Sequence, residues 1–379
     1  MSKLKLMTIV GTRPEIIRLS EVIKKCDQFF DNILVHTGQN YDYNLNQIFF
    51  EDLNLRNPDY YLEAVGADLG ETIGSIITMS YKLMLEIKPD ALLILGDTNS
   101  CLSSISAKRL HIPIFHMEAG NRCFDECLPE ETNRRIVDHI ADVNMCYSEH
   151  ARRYLNHEGT AKERTYVTGS PMAEVLSANM YKIANSKILE TLGLEKQKYI
   201  LLSAHREENI DTDENFYQLM NSVNALAEKY KMPIIYSMHP RSAKFIEKHN
   251  FKFNEYVKSL KPFSFSDYNN LQINAYCVVS DSGTLPEESA YFNSKGLHFP
   301  AVCIRTSTER PEALDKGNFI LAGISTTQVL QAVEVSVQMN EKGHFGTTVP
   351  DYADENVSSK VVRIIQSYTN IINKMVWRK

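Results

Sequence analysis

The segment 116–135 contains acidic and basic side chains suited to acid–base chemistry. Glu118 and Glu130 lie in it beside arginines, directly after the apolar run 112–115. Charged groups are costly in a protein core, but they fit a ligand site, because open α/β sheets bind ligands outside the carboxyl ends of their strands. Asp97 ends the preceding apolar run, so its carboxylate is expected near Glu118. The alternative is that Asp97 only caps a helix and that Glu130 and Glu131 only complement a helix dipole. Spacing does not decide which of these two glutamates, if either, faces the ligand.

Residues suited to anion binding follow the first predicted strand. The string Gly-Thr-Arg-Pro-Glu at 11–15 places Pro14 at the first position of a helix, where proline is favoured. Backbone amides at a helix start, together with Arg13, could bind an anion. The alternative is a simple strand-to-helix turn with a surface arginine. The chain contains no Gly-x-Gly-x-x-Gly fingerprint of dinucleotide-binding proteins.

Two His/Arg pairs follow later apolar runs. The first pair is His205 and Arg206, and the second is His239 and Arg241. At the carboxyl edge of a sheet, His205 and Arg206 could bind a diphosphate or take part in proton transfer. A single histidine at a strand end is often only a capped surface residue, but two such pairs at equivalent strand ends favour an anionic ligand.

The string Ser-Asp-Ser-Gly-Thr, which ends at Thr284, predicts a strand, a tight turn and the start of a helix. Ser282 and the backbone amides of Gly283 and Thr284 are suited to binding a phosphate. Glu288, or the glutamate before it, could accept hydrogen bonds from ribose hydroxyls. Arg310 comes after a further apolar run, and arginine is the usual bidentate partner of phosphate.

The length and the composition of the chain limit the classes of protein to which it could belong. A chain of 379 residues is too long for one ordinary core, which predicts two domains. A net charge of −6 gives no support for a nucleic-acid surface. No segment is long and apolar enough for a signal peptide or a membrane span, so a cytoplasmic protein is expected. The 7 cysteines are interpreted as reduced core residues, and no metal site is expected at Cys123 and Cys127, because no second pair follows them.

Short apolar runs alternate with amphipathic stretches over the chain. The runs predicted as strands are 4–10, 33–36, 91–95, 112–116, 143–147, 166–168, 199–204, 233–237, 275–279, 301–304 and 319–321. The stretches predicted as helices are 14–27, 69–87, 100–110, 129–140, 150–157, 215–229, 269–273, 285–291, 326–339 and 356–377. This alternation is typical of βαβ units with parallel sheets. The Gly-Ser-Pro string at 169–171 separates two such series.

We therefore expect an α/β fold of two Rossmann-like domains that face each other across a cleft. The expected domains are 1–169 and 170–355, and the terminal stretch 356–379 is expected to pack back on the first. The first domain offers carboxylates, and the second offers a phosphate-binding turn with histidine and arginine. The simplest interpretation is that the second domain holds a nucleotide and the first supplies acid–base groups. A nucleotide-sugar is the ligand that fits both.

The strings described above belong to a longer set that spans nearly the whole chain. The set consists of Gly-Thr-Arg-Pro-Glu (11–15), Thr-Gly-Gln (37–39), Gly-Asp-Thr (96–98), His-Met-Glu-Ala-Gly (116–120), Pro-Glu-Glu-Thr-Asn-Arg (129–134), Ala-His-Arg-Glu-Glu-Asn (204–209), His-Pro-Arg (239–241), Ser-Asp-Ser-Gly (280–283) and Thr-Glu-Arg-Pro-Glu (308–312). Together these strings resemble the non-hydrolysing UDP-N-acetylglucosamine 2-epimerase family. The resemblance implies a GT-B-like fold, no cofactor, and epimerisation at C2 of a UDP-2-acetamido sugar.

In the mechanism that the resemblance implies, a base removes the C2 proton while UDP leaves C1. A 2-acetamidoglycal stays bound, and UDP adds back with a proton delivered to the opposite face. Carried over by motif, the acid–base residues would be Asp97, Glu118, Glu130 and His205. The residues that hold the UDP-sugar would be Arg13, Arg18, His205, Arg206, His239, Ser282, Gly283, Thr284, Glu288 and Arg310. Which carboxylate is the base and which is the acid stays open.

Some positions depart from the family pattern. Arg18 stands where lysine is usual, and Thr284 stands where a second glycine is common. The residues after Thr-Gly-Gln are Asn40 and Tyr41 in place of His-Arg, which puts an inherited substrate-activation site in doubt.

Within the family, the strings 118–125 and 304–308 resemble the capsule-biosynthesis branch. That branch makes UDP-N-acetyl-L-fucosamine from its 2-epimer, the L-talose derivative. The open alternatives are a UDP-GlcNAc/UDP-ManNAc 2-epimerase, a GT-B glycosyltransferase, a hydrolysing relative and a catalytically silent sensor. The intact carboxylates favour an epimerase, and the missing dinucleotide fingerprint argues against an NAD-dependent one. Family members are often dimers, so a homodimer is expected.

Overall fold

The computed structural model describes residues 3–38, 47–126, 128–204 and 206–379, apart from the side chains of residues 207 and 208. The chain forms two compact units. The first contains both ends of the chain, Met1–Ala178 and Pro350–Lys379, and the second is the continuous segment Asn179–Val349. These bounds differ from the expected boundaries after residues 169 and 355, and the first change of unit falls inside a helix.

The strands of the described residues are β1 (Lys5–Val10), β2 (Asp31–His36), β3 (Tyr60–Tyr61), β4 (Ala91–Leu95), β5 (Ile114–Met117), β6 (Val143–Cys146), β7 (Thr165–Val167), β8 (Ile200–Ser203), β9 (Ile234–Ser237), β10 (Val257–Leu260), β11 (Cys277–Ser280), β12 (Ala301–Cys303) and β13 (Ile320–Leu321). The α-helices are α1 (Arg13–Phe29), α2 (Gln47–Asp52), α3 (Leu69–Ile87), α4 (Ser103–Arg109), α5 (Pro129–Ile140), α6 (Glu149–His157), α7 (Met172–Ala184), α8 (Ile188–Leu192), α9 (Glu207–Ile210), α10 (Asp213–Tyr230), α11 (Pro240–Lys248), α12 (Phe265–Ile273), α13 (Leu285–Ser294), α14 (Pro311–Asp315), α15 (Thr326–Glu341) and α16 (Val357–Met375). Short 3₁₀ helices cover Asn99–Leu102, Lys162–Arg164 and Pro350–Tyr352.

The first unit is built around a parallel sheet. Over the described residues its strand order is β3-β2-β1-β4-β5-β6-β7, and neighbouring strands run parallel. The central strand β4 reads Ala-Leu-Leu-Ile-Leu and is buried throughout, because parallel sheets are covered on both faces. The strand order reverses between β1 and β4. In such sheets the loops at the reversal diverge, which favours ligand binding beyond the carboxyl ends of the strands.

The second unit repeats this plan with a smaller sheet. Its strand order, in the part of the chain that the structure describes, is β10-β9-β8-β11-β12-β13, again with parallel neighbours. The order reverses between β8 and β11. Leu202 of β8, Phe216 of α10 and Val333 of α15 lie in one buried apolar cluster beside this sheet. Both units therefore have the strand order of a Rossmann-like fold.

Local sequence sets the ends of the long helices. The side chain of Asp68 accepts a hydrogen bond from the amide of Glu71 at the start of α3, and α3 ends at Lys88 in the left-handed conformation. The side chain of Thr212 caps α10 in the same way. The predicted helix 69–87 and the predicted strand 91–95 coincide with α3 and β4.

The terminal helix α16 belongs to the first unit and packs against α1. Val361, Ile365 and Ile372 lie on one face of α16 and are buried. Ile371 lies on the other side and is 46% exposed. Across the described ranges, no helix is long and apolar enough to cross a membrane.

Candidate active site

Asp97 and Glu118 follow two neighbouring strands, β4 and β5. Leu95 pairs with Met117 in the sheet, and the amide of Gly96 donates a hydrogen bond to the carbonyl of Met117 at 3.0 Å. The two acidic residues therefore leave the sheet at the same edge, beside the reversal in strand order. The apolar runs that precede them in the sequence predict this placement.

The carboxylate of Glu118 is fixed by two side chains. Nη1 of Arg18 donates to Oε2 at 2.6 Å, and Nδ2 of Asn121 donates to Oε1 at 3.0 Å. Glu118 has a φ of 64°, a left-handed conformation that few non-glycine residues adopt. Gly96 lies against it, since a Cβ at that position would be 3.2 Å from Oε2 of Glu118. The structure thus places Arg18, which the sequence assigned to the UDP-sugar, beside a catalytic candidate.

The carboxylate of Asp97 is held by an arginine of α5. Nε and Nη2 of Arg134 donate to Oδ2 of Asp97 at 3.0 and 2.6 Å. Nη1 of Arg134 donates to Oε2 of Glu131 at 2.9 Å. Glu131 is buried, whereas Glu130 is only half-buried. Of the two glutamates between which the sequence could not decide, Glu131 is the one that shares the arginine of Asp97.

Glu15, which sequence analysis did not single out, connects two loops of the candidate site. Its buried carboxylate accepts hydrogen bonds from the Thr12 hydroxyl at 2.8 Å, the Thr98 hydroxyl at 3.0 Å and the Gly11 amide at 3.1 Å. The Ser100 hydroxyl donates to it as well. Burial raises the pKa of Glu15 even though these hydrogen bonds act in the opposite direction. Glu15 therefore ties the turn after β1 to the loop after β4, which carries Asp97.

Arg13 is the first residue of α1, so Pro14, which is predicted at the first helical position, is the second residue of the helix. The residue is half-buried, and its guanidinium lies 5.7 Å from the ring centre of Phe49. Arg13 thus follows β1 at the same sheet edge as Asp97 and Glu118.

The turn after β11 in the second unit is rich in hydroxyl groups. The amide of Ser282 donates to Oγ of Ser280 at 3.0 Å, and the amide of Thr284 donates to Oγ of Ser282 at 3.3 Å. The hydroxyls of Ser282 and Thr284 lie 2.9 Å apart. Ser282, Gly283 and Thr284 are partly exposed, and α13 begins directly after them. Hydroxyls and amides at a helix start suit an anionic ligand.

Asp281 connects the loops that follow three strands of the second unit. Its buried carboxylate accepts hydrogen bonds from the amide of Arg206 at 2.8 Å and from Nδ2 of Asn209 at 3.2 Å. Nδ2 of Asn209 also lies 3.0 Å from the carbonyl of Ile304. Arg206 is therefore fixed beside the hydroxyl-rich turn. His205 lies outside the described residues.

Arg310 and Glu288 are both buried and engaged within the second unit. Nε of Arg310 donates to Oε1 of Glu287 at 2.7 Å, which anchors the loop after β12 to α13. Nε2 of Gln272 donates to Oε2 of Glu288 at 2.7 Å. The structure thus gives both residues a protein partner.

His239 is the N-cap of α11. Its Nδ1 accepts a hydrogen bond from the amide of Arg241 at 3.3 Å. This is the capped position that a histidine at a strand end often occupies. His239 is half-buried and follows β9, which neighbours β8.

The two units offer different chemistry. The first unit groups carboxylates that are each paired with an arginine, an arrangement suited to proton transfer at fixed positions. The second unit groups hydroxyls, amides and an arginine at a helix start, an arrangement suited to a phosphate group. Among the residues that the structure describes, no group of histidine, cysteine, aspartate and glutamate side chains could hold a metal ion.

Comparison with known proteins gives a consistent match over the whole chain. Residues 24–366 match the family described as UDP-N-acetylglucosamine 2-epimerase. The UDP-N-acetylglucosamine 2-epimerase of Methanococcus maripaludis is 36% identical over 372 residues, which cover 95% of this chain and 98% of that enzyme.

Two solved structures share the fold. The structure of UDP-N-acetylglucosamine 2-epimerase from Rickettsia bellii has a TM-score of 0.90 and 47% identity, and the alignment covers 100% of both chains. The Methanocaldococcus jannaschii UDP-GlcNAc 2-epimerase, solved in complex with UDP-GlcNAc and UDP, has a TM-score of 0.89 and 32% identity, covering 96% of this chain and 99% of that one. The expected α/β, GT-B-like fold class is confirmed.

Proposed function

The chain belongs to the UDP-N-acetylglucosamine 2-epimerase family and is an isomerase of UDP-sugars, and we propose that it inverts C2 of a UDP-2-acetamido sugar by elimination and re-addition of UDP. The observation that carries the proposal is the pair of arginine-bound carboxylates, Asp97 and Glu118, at the ends of neighbouring strands.

The proposed reaction conserves its atoms and electrons. A base takes the C2 proton, the C2–H electron pair forms the C1–C2 double bond, and UDP leaves with the electrons of the C1–O bond. In the second half, a proton is added to C2 from the opposite face, and the phosphate oxygen re-forms the bond to C1. No carbonyl group acidifies C2, so departure of UDP must assist removal of the proton. Inversion therefore requires proton-transfer groups on both faces, and we assign these roles to the carboxylates of the first unit.

The second unit is proposed to bind the UDP part of the substrate. The support is the hydroxyl-rich turn from Ser282 to Thr284 at the start of α13, with Arg206 held beside it through Asp281. Hydrogen bonds and positive charge at the diphosphate stabilise the negative charge that develops as UDP leaves. We keep His205, Gly283, His239, Glu288 and Arg310 in this role as a proposal.

For the substrate, we propose UDP-2-acetamido-2,6-dideoxy-L-talose, converted to UDP-N-acetyl-L-fucosamine for surface polysaccharide. The support is the likeness of the strings 118–125 and 304–308 to the capsule-biosynthesis branch. The first of these strings contains Glu118 and Asn121, which the structure joins by a hydrogen bond of 3.0 Å. The string 118–125 therefore contains both a candidate catalytic residue, Glu118, and a residue that contacts its carboxylate, Asn121.

A second candidate substrate is UDP-N-acetylglucosamine. The Methanococcus maripaludis relative and both solved structures are named for that sugar. The two candidates differ in the sugar configuration and at C6, so the choice between them depends on side chains around the pyranose and not on the UDP-binding turn.

One experiment tests the reaction and the substrate together. The protein is incubated in heavy water with each of three sugars, UDP-2-acetamido-2,6-dideoxy-L-talose, UDP-N-acetyl-L-fucosamine and UDP-N-acetylglucosamine, and the sugars are analysed by NMR. We expect the talose and fucosamine sugars to interconvert, with deuterium at C2 of both the product and the recovered substrate.

Other outcomes have defined meanings. An epimer formed without deuterium from the solvent would contradict elimination with a solvent-exchangeable proton. Turnover of UDP-N-acetylglucosamine alone would reject the fucosamine assignment in favour of the second candidate. Absence of turnover and of exchange with all three sugars would reject the proposed function.

A further inference from the structure

A buried ion network lies beneath the loop that carries Glu118. Asp138 of α5 is fully buried, and its Oδ2 accepts a hydrogen bond from Nη1 of Arg122 at 2.7 Å. Both oxygens of Asp138 lie 3.2 Å from the amide nitrogen of Gly120. Nδ1 of His116, in β5, lies 3.0 Å from Oδ1 without the alignment of a hydrogen bond. A single carboxylate thus contacts the end of β5 and two positions of the loop.

The imidazole of His116 connects this carboxylate to the neighbouring strand. Its Nε2 lies 2.8 Å from the carbonyl oxygen of Gly96, which can only accept a hydrogen bond, so Nε2 carries a proton. Its Nδ1 faces the carboxylate of Asp138. His116 therefore contacts Asp138 on one side and Gly96 on the other. Gly96 is the residue at which a Cβ would lie 3.2 Å from Oε2 of Glu118.

The charges of this network are paired with one another inside the first unit. Burial alone would raise the pKa of Asp138, but its contacts with His116 and Arg122 hold this pKa below its ordinary value. Arg122 is bound in turn by Glu158, with Nε–Oε1 and Nη2–Oε2 distances of 2.8 and 2.5 Å. Removal of one member of such a buried network leaves the charge of its partner unpaired, which is costly in free energy. The members therefore restrain one another's positions.

We propose that Asp138 is a positioning residue that fixes the carboxylate of Glu118 for proton transfer at C2. The inference rests on the proposed epimerase function, in which Glu118 transfers a proton. Glu118 has a φ of 64°, and such a conformation persists only where the surrounding structure holds it. Asp138 holds His116 on one side of Glu118 and Gly120 on the other, and through His116 it also holds Gly96.

The test compares two buried aspartates of the first unit. Asp138→Asn keeps the shape of the side chain and removes its charge. Asp142→Asn is the matched control, because Asp142 is also buried and accepts hydrogen bonds from the Ile114 amide at 3.0 Å and from Lys108 Nζ at 2.7 Å, at the opposite end of β5. We expect both variants to melt at lower temperature. Only Asp138→Asn should lower kcat, by about tenfold or more, with the KM of the UDP-sugar and the Kd of UDP unchanged.

The kinetic isotope effect separates positioning from simple loss of folded enzyme. With substrate deuterated at C2, Asp138→Asn should show a larger primary isotope effect on kcat than the wild type, because proton transfer becomes more rate-limiting. A variant that is merely less folded has fewer active molecules and an unchanged isotope effect. If Asp138→Asn does not fold, His116→Asn provides the same test, because it leaves Asp138 in place and removes the bridge to Gly96.

The outcomes distinguish this role from the proposed function. Suppose that the wild-type enzyme turns over. Equal kcat values for the two aspartate variants, or an isotope effect in Asp138→Asn that equals the wild-type value, would then overturn the positioning role alone. A wild-type protein that neither turns over nor exchanges the C2 hydrogen would overturn the proposed function, and the positioning role with it.

Discussion

The two carboxylates proposed for proton transfer are each held by an arginine that is distant in the sequence. Arg18 and Glu118 are 100 residues apart, and Arg134 and Asp97 are 37 residues apart. An arginine that donates hydrogen bonds to a carboxylate restrains its orientation. The side chain of Asp97 is 20% exposed and that of Glu118 is 6% exposed, so their access to solvent differs. The two carboxylates proposed for proton transfer therefore lie in different environments.

Replacement of either carboxylate by its amide should abolish turnover and leave UDP binding intact. We expect Asp97→Asn and Glu118→Gln each to lower kcat by about a hundredfold or more, because a positioned proton-transfer group contributes at least that much. The Kd of UDP, measured by calorimetry, should not change, because UDP is proposed to bind the second unit. Turnover can be followed by NMR of the UDP-sugar.

Glu126→Gln is the matched control for these amides. Glu126 lies in the same acidic segment, is 72% exposed, and pairs with Arg135 at 2.7 Å. Its replacement should leave kcat unchanged. Loss of UDP binding with turnover retained in Asp97→Asn or Glu118→Gln would reverse the roles given to the two units.

The placement of Asp97 and Glu118 could be predicted from the sequence, because the apolar runs before them mark where buried strands end. The pairing of Glu118 with Arg18 could not, since spacing gives no information on contacts between distant segments. The choice between Glu130 and Glu131 also required the structure. Neighbouring positions on a helix point about 100° apart, so the packing of α5 decides which side chain faces inward.

At the scale of elements, an ion pair connects the start of α10 to the end of α11 in the second unit. Nε2 of His249 lies 2.9 Å from Oδ1 of Asp213, and the imidazole stacks on the ring of Phe216 with centroids 4.4 Å apart. The hydrogen bond to Asp213 raises the pKa of His249, although Lys248 acts in the opposite direction. The same hydrogen bond lowers the pKa of Asp213.

The stability of the second unit should therefore depend on pH through this pair. The contribution of His249 is fully present below pH 6.5, its ordinary pKa, and is lost as the pH rises through the raised pKa. The contribution of Asp213 is present above pH 3.8, its ordinary pKa, and is lost as the pH falls through the lowered pKa. We expect the wild-type melting temperature to fall as the pH rises above 6.5, and Asp213→Asn to remove this fall, as measured by calorimetry across that range.

Glu334→Gln is the control for the pH dependence. Glu334 pairs with Lys229 at 2.5 Å on the surface of the same unit, and this pair links α10 to α15 without a histidine. This variant should retain the pH dependence of the wild type. If Asp213→Asn shows the same dependence of melting temperature on pH as the wild type, the His249–Asp213 pair is not its cause.

Two elements show where sequence patterns were insufficient. The string Gly-Ser-Pro at 169–171 predicts a boundary between domains, but α7 begins directly after it, and the amide of Ser170 donates to the carbonyl of Asp351 at 2.8 Å. That contact joins segments that are far apart in the sequence. Strand β10 reads Val-Lys-Ser-Leu and lies at the edge of its sheet. Its sequence is too short and too polar to be recognised as a strand from its pattern of apolar residues.

At the scale of the whole molecule, the first unit is formed from both ends of the chain. We expect Ile365→Ala to destabilise this unit by about 2–5 kcal/mol, because it opens a cavity where α16 packs against α1. Ile371→Ala, on the 46% exposed side of the same helix, should have a much smaller effect. Hydrogen exchange followed by mass spectrometry should show faster exchange in Met1–Ala178 for Ile365→Ala.

The second unit provides the internal reference for that measurement. Asn179–Val349 has its own buried cluster, so its exchange should not change in Ile365→Ala. Equal acceleration in both units would show that they unfold as one cooperative block. Equal effects of Ile365→Ala and Ile371→Ala would contradict the packing of α16.

Because α16 follows the second unit in the sequence, the order of protein synthesis bears on how the first unit folds. The ribosome makes Asn179–Val349 before it makes α16, so the second unit has all of its residues first. The apolar face of α1 meanwhile lacks its covering helix and is exposed to chaperones and to other nascent chains. The first unit, although its synthesis begins first, therefore receives its last residues after the second unit is complete.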